Sequence, residues 1–299
     1  MGTPDISVKP LVALAKRYDV IGLFCGEDKP QGRKQIITPP ETKVAANALG
    51  IDVYQPKNLR SHNTISLVNQ LNPELIVTMA YGKLLPKALL EIPKYGAINA
   101  HASLLPAYRG ASPIQHAIMN REQKTGVSIM KLDEGLDTGD IILQKEINLS
   151  EECDASELFS IVSDIATNLL LDTVEMLTNN TVEYIKQDAS KATYAPIITK
   201  DMGEFSFSAD ANRIVSLVKG LSIWPQAFFM YDDKKIKVLK ASFSSETAEV
   251  GQIISLKPLT IAAINGSVIV HEVMPQSKGR MTGTAYIVGL RLAKGDFLR

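Results

Sequence analysis

Asn99, His101 and Asp137 are the residues of this sequence whose types and spacing best suit chemistry. An asparagine carboxamide can donate to an oxyanion as it develops. An imidazole two residues on, with an ordinary pKa of ~6.5, can take and return a proton near neutrality. An aspartate can hold that ring, or a bridging water, in place. All three lie in one stretch, INAHASLLPAYRGASPIQHAIMNREQKTGVSIMKLDEGLDTGD, from Ile98 to Asp140. No G-x-S-x-G elbow, phosphate loop or G-x-G-x-x-G accompanies them. The set therefore fits direct group transfer through a tetrahedral intermediate, without a covalent enzyme intermediate. Each member also has a plainer reading. Asparagine is a common turn former, and histidine is often only a hydrogen-bonded core or surface residue. Asp133, Glu134, Asp137 and Asp140 together could be a solvated acidic loop or a weak cation site, though their spacing misses the calcium-loop pattern.

The elements that must position these residues follow from hydrophobic periodicity. The apolar run Tyr95 to Ile98 reads as a buried strand delivering Asn99 and His101, and a second run, Gly126 to Leu132, leads into the acidic glycine loop. Ahead of them, helices over Ile6 to Arg17, Thr42 to Leu49 and Asn63 to Leu71 alternate with strands over Val20 to Cys25, Asp52 to Tyr54 and Leu75 to Ala80. Gly26 to Glu41 reads as a long polar loop. Pro113 to Arg121 is expected helical, Ile141 to Leu149 an edge-type strand, and Ala155 to Leu177 a long closing helix. This order predicts an α/β fold: a Rossmann-like, mostly parallel sheet with helices on both faces. Ligands in such sheets sit beyond the carboxyl ends of strands, where Ala80-Tyr81-Gly82 and Asn99-Ala100-His101 fall.

After a polar, irregular stretch the period changes. A helix over Ser208 to Leu221, with Ser208 or Asp210 near its cap, precedes five short strands from Ala227 onwards. They predict a small antiparallel β-barrel of the oligonucleotide-binding (OB-like) kind. The expected domains are a catalytic one over 1–179, a linker over 180–198, and the OB-like domain over 199–299.

Bulk properties bound the function. The 299 residues carry no net formal charge, so no global field draws the chain to nucleic acid or membrane. The charge is unevenly divided, however: from Thr199 on there are 13 Lys/Arg against 9 Asp/Glu, which favours an anionic partner for that part. Two cysteines without paired spacing argue against a disulfide framework or a structural zinc, and no metal is expected. Neither a membrane-length apolar run nor a basic-then-apolar leader is present, so a cytoplasmic protein is expected.

The order N-x-H-x-S-L-L-P followed about thirty residues later by L-D-x-G resembles the folate-dependent formyltransferases. GTPD, YQPKNLR, AYGKLLPK, YRGASPIQ, TYAPIITK and WPQAF extend the likeness along essentially the whole chain, towards the branch that acts on methionyl-tRNA. The resemblance implies a catalytic set of Asn99, His101 and Asp137, with 10-formyltetrahydrofolate as co-substrate. It implies folate contacts at Ser103, Leu104, Leu105 and Pro106, with Tyr81 and Gly82 alongside. The free α-amine of initiator methionyl-tRNA would attack the formyl carbon, and a monomer is the expected working unit. The loop 26–41 would then lie against the tRNA acceptor end, with Arg33 and Lys34 as its basic residues. Lys234, Lys235, Lys237 and Lys240 are further candidates for backbone contact, although a charge run on a strand is as often a solvated face.

Some positions depart from the family pattern. The basic loop is about one residue short, and Phe205-Ser206-Phe207 and Lys219 replace the usual residues of the region leading to Trp224-Pro225. Family members also carry a short apolar strand just ahead of GTPD, whereas here the chain opens with turn, helix and strand. The expectation is that a first central strand is missing and that the true start lies upstream.

Overall fold

The computed structural model describes residues 1–32 and 34–298. Two compact units are present. The first contains Met1–Pro113, Lys124–Asn148 and Phe159–Pro196; the second contains Ile114–Gln123, Leu149–Leu158 and the chain from Ile197 on. Most of the 180–198 stretch thus lies along the first unit.

In chain order the elements before residue 180 are α1 (Val8–Arg17), β1 (Leu23–Phe24), β2 (Lys29–Gln31), β3 (Ile36–Thr38), α2 (Glu41–Ala48), β4 (Val53–Tyr54), α3 (His62–Leu71), β5 (Ile76–Thr78), α4 (Lys87–Leu90), β6 (Ala97–His101), α5 (Pro113–Met119), β7 (Lys124–Lys131), β8 (Ile141–Asn148) and α6 (Ala155–Thr178). Helix ends are set locally. The Ser61 hydroxyl accepts from Thr64 N–H at 3.3 Å to start α3, and Asn72 ends it in the left-handed region at φ 46°. The Asp154 carboxylate accepts from Glu157 N–H at 3.0 Å at the start of α6.

The main sheet of the first unit runs β5-β6-β7-β8, and β1 pairs with β4 in a separate two-stranded sheet. β1/β4 and β5/β6 are parallel, while β6/β7 and β7/β8 are antiparallel. The direction of β7 was not readable beforehand. Its residues Thr125 to Met130 are all buried, and a strand covered on both faces gives the same apolar run in either direction.

The sheet is interrupted between β1 and β5, and Met1-Gly2 lies in that gap. The Met1 α-amine donates to Val77 O at 2.5 Å, Met79 N–H donates to Met1 O at 3.0 Å, and Gly2 N–H donates to Phe24 O at 3.1 Å. Burial pushes the pKa of this amine down to about 5. Beside it is a cavity of about 490 Å³ lined largely by aliphatic side chains, among them Leu14, Leu71, Leu75, Leu170 and Val174.

The stretch expected as an open loop, 26–41, instead contains a β-hairpin: β2 and β3 pair antiparallel, Lys29 opposite Thr38 and Gln31 opposite Ile36. Its root is tied down by a polar ring. Lys43 Nζ donates to both Asp28 oxygens at 2.8 and 2.9 Å, and Gln55 Nε2 donates to Asp28 Oδ1 at 2.8 Å. Pro30 and the polar run around it concealed the strands, because pairing at this exposed site needs no alternation of apolar residues.

The second unit holds α7 (Ala211–Gly220), β9 (Phe228–Tyr231), β10 (Lys234–Ser244), β11 (Ile253–Leu256), β12 (Leu259–Ala263), β13 (Gly266–Pro275), β14 (Met281–Thr282) and α8 (Gly283–Gly289). Its antiparallel sheet has the order β11-β12-β13-β10-β9, with β14 added to β13. Asp210 is the cap of α7, its carboxylate accepting from Arg213 N–H at 3.2 Å. The helix buries Ile214 and Val218 against Ile236, Val238, Val268 and Val270 of the sheet. All five expected strands form. β14 and α8 were not expected, because MTGTAYIVGL mixes two glycines with β-branched residues and has no clear period.

Candidate active site

β6 is the platform. Ala97, Ile98, Ala100 and His101 are buried, and the strand lies between a parallel and an antiparallel neighbour. Asn99 and His101 share a face because strand side chains alternate. Thr78 lies opposite Asn99 on β5, and its hydroxyl donates to Asn99 Oδ1 at 2.8 Å. That bond leaves the amide NH2 as the donor end of the side chain.

The imidazole of His101 is flanked by oxygens on both sides. Nε2 lies 2.8 Å from Tyr108 O, and Nδ1 lies 3.5 Å from Asp137 Oδ2. A neutral ring can donate to only one of these acceptors; taking up a proton lets it face both as a donor. Its side chain is 6% exposed and that of Asp137 13%, so water screens the pair little.

Asp137 is held in turn. Gly110 N–H donates to its Oδ2 at 2.8 Å. Its backbone is left-handed at φ 53°, an uncommon conformation for a residue other than glycine. Gly110 itself, at φ 116°, could carry no side chain: a Cβ there would stand 2.7 Å from Ala195 O.

The Ser-Leu-Leu-Pro turn adjoins this set. Ser103 is fully buried, and its hydroxyl donates to Ala107 O at 2.6 Å, so it shapes the turn. Fully buried Ser128 of β7 accepts from Leu105 N–H at 3.0 Å and donates to Ser103 O at 2.6 Å, while Gln144 Nε2 donates to Leu105 O at 2.9 Å. Leu104 packs over Gly126, whose missing side chain makes the room. Leu105 is buried with Met130 and Ile141, and Pro106 is half-buried.

Other residues singled out from the sequence fall in varied places. The Tyr81 ring is buried in the apolar cluster with Phe24, Leu59 and Leu89; its hydroxyl has no hydrogen-bond partner among the described residues, and burial raises its pKa to about 12. Gly82 is exposed at φ 76° with open space around it. Lys34 is exposed in the β2–β3 turn, and Arg33 lies outside the described residues. In the second unit Lys235 stands 3.5 Å over the Phe228 ring, and Lys237 donates to Gln226 Oε1 at 3.0 Å. None of Asn99, His101 and Asp137 lines the 490 Å³ cavity. Asp133 accepts from Thr138 Oγ1 and Gly135 N–H within the acidic loop. Among the described residues no group of three or more His, Cys, Asp or Glu could hold a metal ion.

Four supporting residues went unread: Thr78, Arg109, Ser128 and Gln187. Arg109 carried a faint signal, the one charged residue in the YRGAS run; it is 5% exposed. Gln187 carried none.

The likeness of this chain to known proteins bears on what the arrangement does. A model of the formyl transferase family matches residues 11–174, and one of the formyl transferase C-terminal domain matches residues 197–291. The methionyl-tRNA formyltransferase of Alkaliphilus oremlandii is 41% identical over 303 residues, spanning 100% of this chain and 98% of the relative. Among solved structures, methionyl-tRNA formyltransferase from Clostridium thermocellum superposes with a TM-score of 0.52 at 27% identity, covering 64% of this chain and 81% of that one. HypX from Aquifex aeolicus in complex with tetrahydrofolic acid shares the fold, with a TM-score of 0.62 at 15% identity over 85% of this chain and 47% of that one.

Proposed function

This chain belongs to the formyl transferase family, and on that premise we propose that it moves a formyl group from 10-formyltetrahydrofolate to the α-amine of initiator methionyl-tRNA. The product is formylmethionyl-tRNA, the form used to begin translation. The observation that carries the chemistry is the His101 imidazole at the end of β6, between the Asp137 carboxylate and the Tyr108 carbonyl, with Asn99 on the same face.

The neutral amine attacks the formyl carbon, and the carbonyl electrons move onto oxygen. The Asn99 amide donates to that oxyanion, and the protonated His101 ring stabilises it by its charge. As the intermediate collapses, the carbon–nitrogen bond to folate breaks and the nitrogen of folate takes a proton. His101, paired with Asp137, hands over that proton, and the attacking amine gives one up in turn. Ser103 to Pro106, with Tyr81 and Gly82, form the folate side of the site, Ser103 acting through the shape of the turn.

Residues 1–179 are read as the catalytic domain, 180–198 as the link and 199–299 as the tRNA-binding domain. Arg33 and Lys34, which follow β2 in the sequence, are the basic residues offered to the acceptor end. The setting proposed is the cytoplasm, with a monomer as the working unit and no metal in the reaction.

The test follows the label. With formyl-labelled folate and, separately, methionyl-tRNA, an amino-sugar nucleotide or water as acceptor, label is expected on the tRNA. Transfer chiefly to the amino sugar, or release as formate at the same rate without tRNA, overturns this reading.

A further inference from the structure

We propose that Gln187 is a positioning residue for the reaction, acting through Asp137, and that buried Arg109 orients it. The proposal rests on the reading of Asp137 as catalytic. The segment containing Gln187 is strapped across the loops that carry the site. Ile185 bridges Ile141 in both directions at 2.8 and 2.9 Å, and Arg109 N–H donates to Thr193 O at 2.8 Å. Ala195 N–H donates to Arg109 O at 2.7 Å.

Within that strap one carboxamide spans two loops. Arg109 donates to Gln187 Oε1 from Nη2 at 2.7 Å and from Nε at 3.2 Å. Gln187 Nε2 donates to Asp137 O at 2.9 Å and to Gly139 O at 2.7 Å. The orientation is unambiguous: a guanidinium has only donors and a carbonyl only accepts, so the oxygen must face Arg109 and the nitrogen the loop. Half-buried Gln187 thus uses both amide hydrogens on the residue whose carboxylate faces His101 and on a neighbour two residues away.

What needs holding is plain. Asp137 sits at φ 53° in a loop of glycines and acids, and its side chain is held by Gly110 N–H. Free of the carboxamide, the loop loses two anchors at the point where the Asp137–His101 distance is set. Displacements on the order of 1 Å around a reacting group can cost about 10²-fold in rate. The part Gln187 plays is therefore in turnover, with little in substrate affinity.

The experiment is a double-mutant cycle on the full chain, with methionyl-tRNA saturating and formyl-folate varied up to saturation. Gln187→Leu and the near-isosteric Gln187→Glu are each expected to lower kcat about 10- to 100-fold, with KM for formyl-folate changed by less than about twofold. Gln187→Glu keeps the Arg109 partner and turns both donors into acceptors facing carbonyls, so a folding failure of the leucine variant leaves the test intact. In an Asp137→Asn background the same substitutions are expected to add less than about a twofold further loss, because groups acting as one unit are not additive. Turnover within twofold of wild type in both single variants, with Asp137→Asn crippled, overturns the proposal and leaves the catalytic reading standing. An equal further loss in the Asp137→Asn background also overturns it, since that pattern marks a purely structural role. Normal turnover of Asp137→Asn overturns both.

Discussion

At the scale of residues, the arrangement answers a narrow question: which groups can hold an oxyanion and move a proton. Asn99 and His101 were readable because two polar residues one alternation apart, at the end of a buried strand, must face the same way. Asp137 was readable as a candidate from residue type, but four acids share its loop, and the resemblance to family sequences chose among them. The geometry singles it out by placing its carboxylate against His101, while Asp133 is used up within the loop. Neither cysteine competes for a catalytic role. Cys25 and Cys153 are both buried, and burial raises the thiol of Cys25 and pushes that of Cys153 up to about 11. Alkylation with iodoacetamide at neutral pH is expected to modify neither thiol in the folded protein and both after denaturation. Rapid loss of activity on labelling one thiol would point instead to a covalent thioester route.

Among the elements, β6 and the two loops beyond it do the positioning. Their strand and turn character was legible, since apolar runs bounded by Gly and Pro mark buried strands whatever their direction. What was not legible is the tertiary bracing. Ser128 looks like any serine in a strand, yet it is fully buried and serves Leu105 N–H, Ser103 O and Gln144 together. Gln187 lies 50 residues beyond Asp137 in a stretch with no period at all, so no local pattern reveals that the two meet. Nor did polarity distinguish the β2–β3 hairpin from a loop, because its strands are exposed. Ser128→Ala leaves buried partners without their bonds and is expected to lower stability by about 1–3 kcal/mol. Urea unfolding measures this, and an unchanged midpoint would show that the turn over Leu105 is held by packing alone.

For the whole molecule, each unit was legible as an architecture before its details. Alternating helices and strands gave way to short period-2 strands after the polar stretch, and that change of period marks a change of core. The excess of basic residues beyond Thr199 and the exposed Lys34 between β2 and β3 suit a polyanionic partner. Binding of methionyl-tRNA is accordingly expected to weaken as salt rises, and Arg33→Ala to reduce the slope of log K against log salt by about one. An identical slope in the variant removes Arg33 from the phosphate contacts. The central claim, formyl transfer by a strand-end histidine paired with Asp137, is tested most directly by single-turnover formyl transfer to methionyl-tRNA in His101→Ala with both substrates saturating. A loss of about 10²–10⁴-fold in rate is expected, with the variant still folded and still binding tRNA; a rate within a few-fold of wild type would contradict the account.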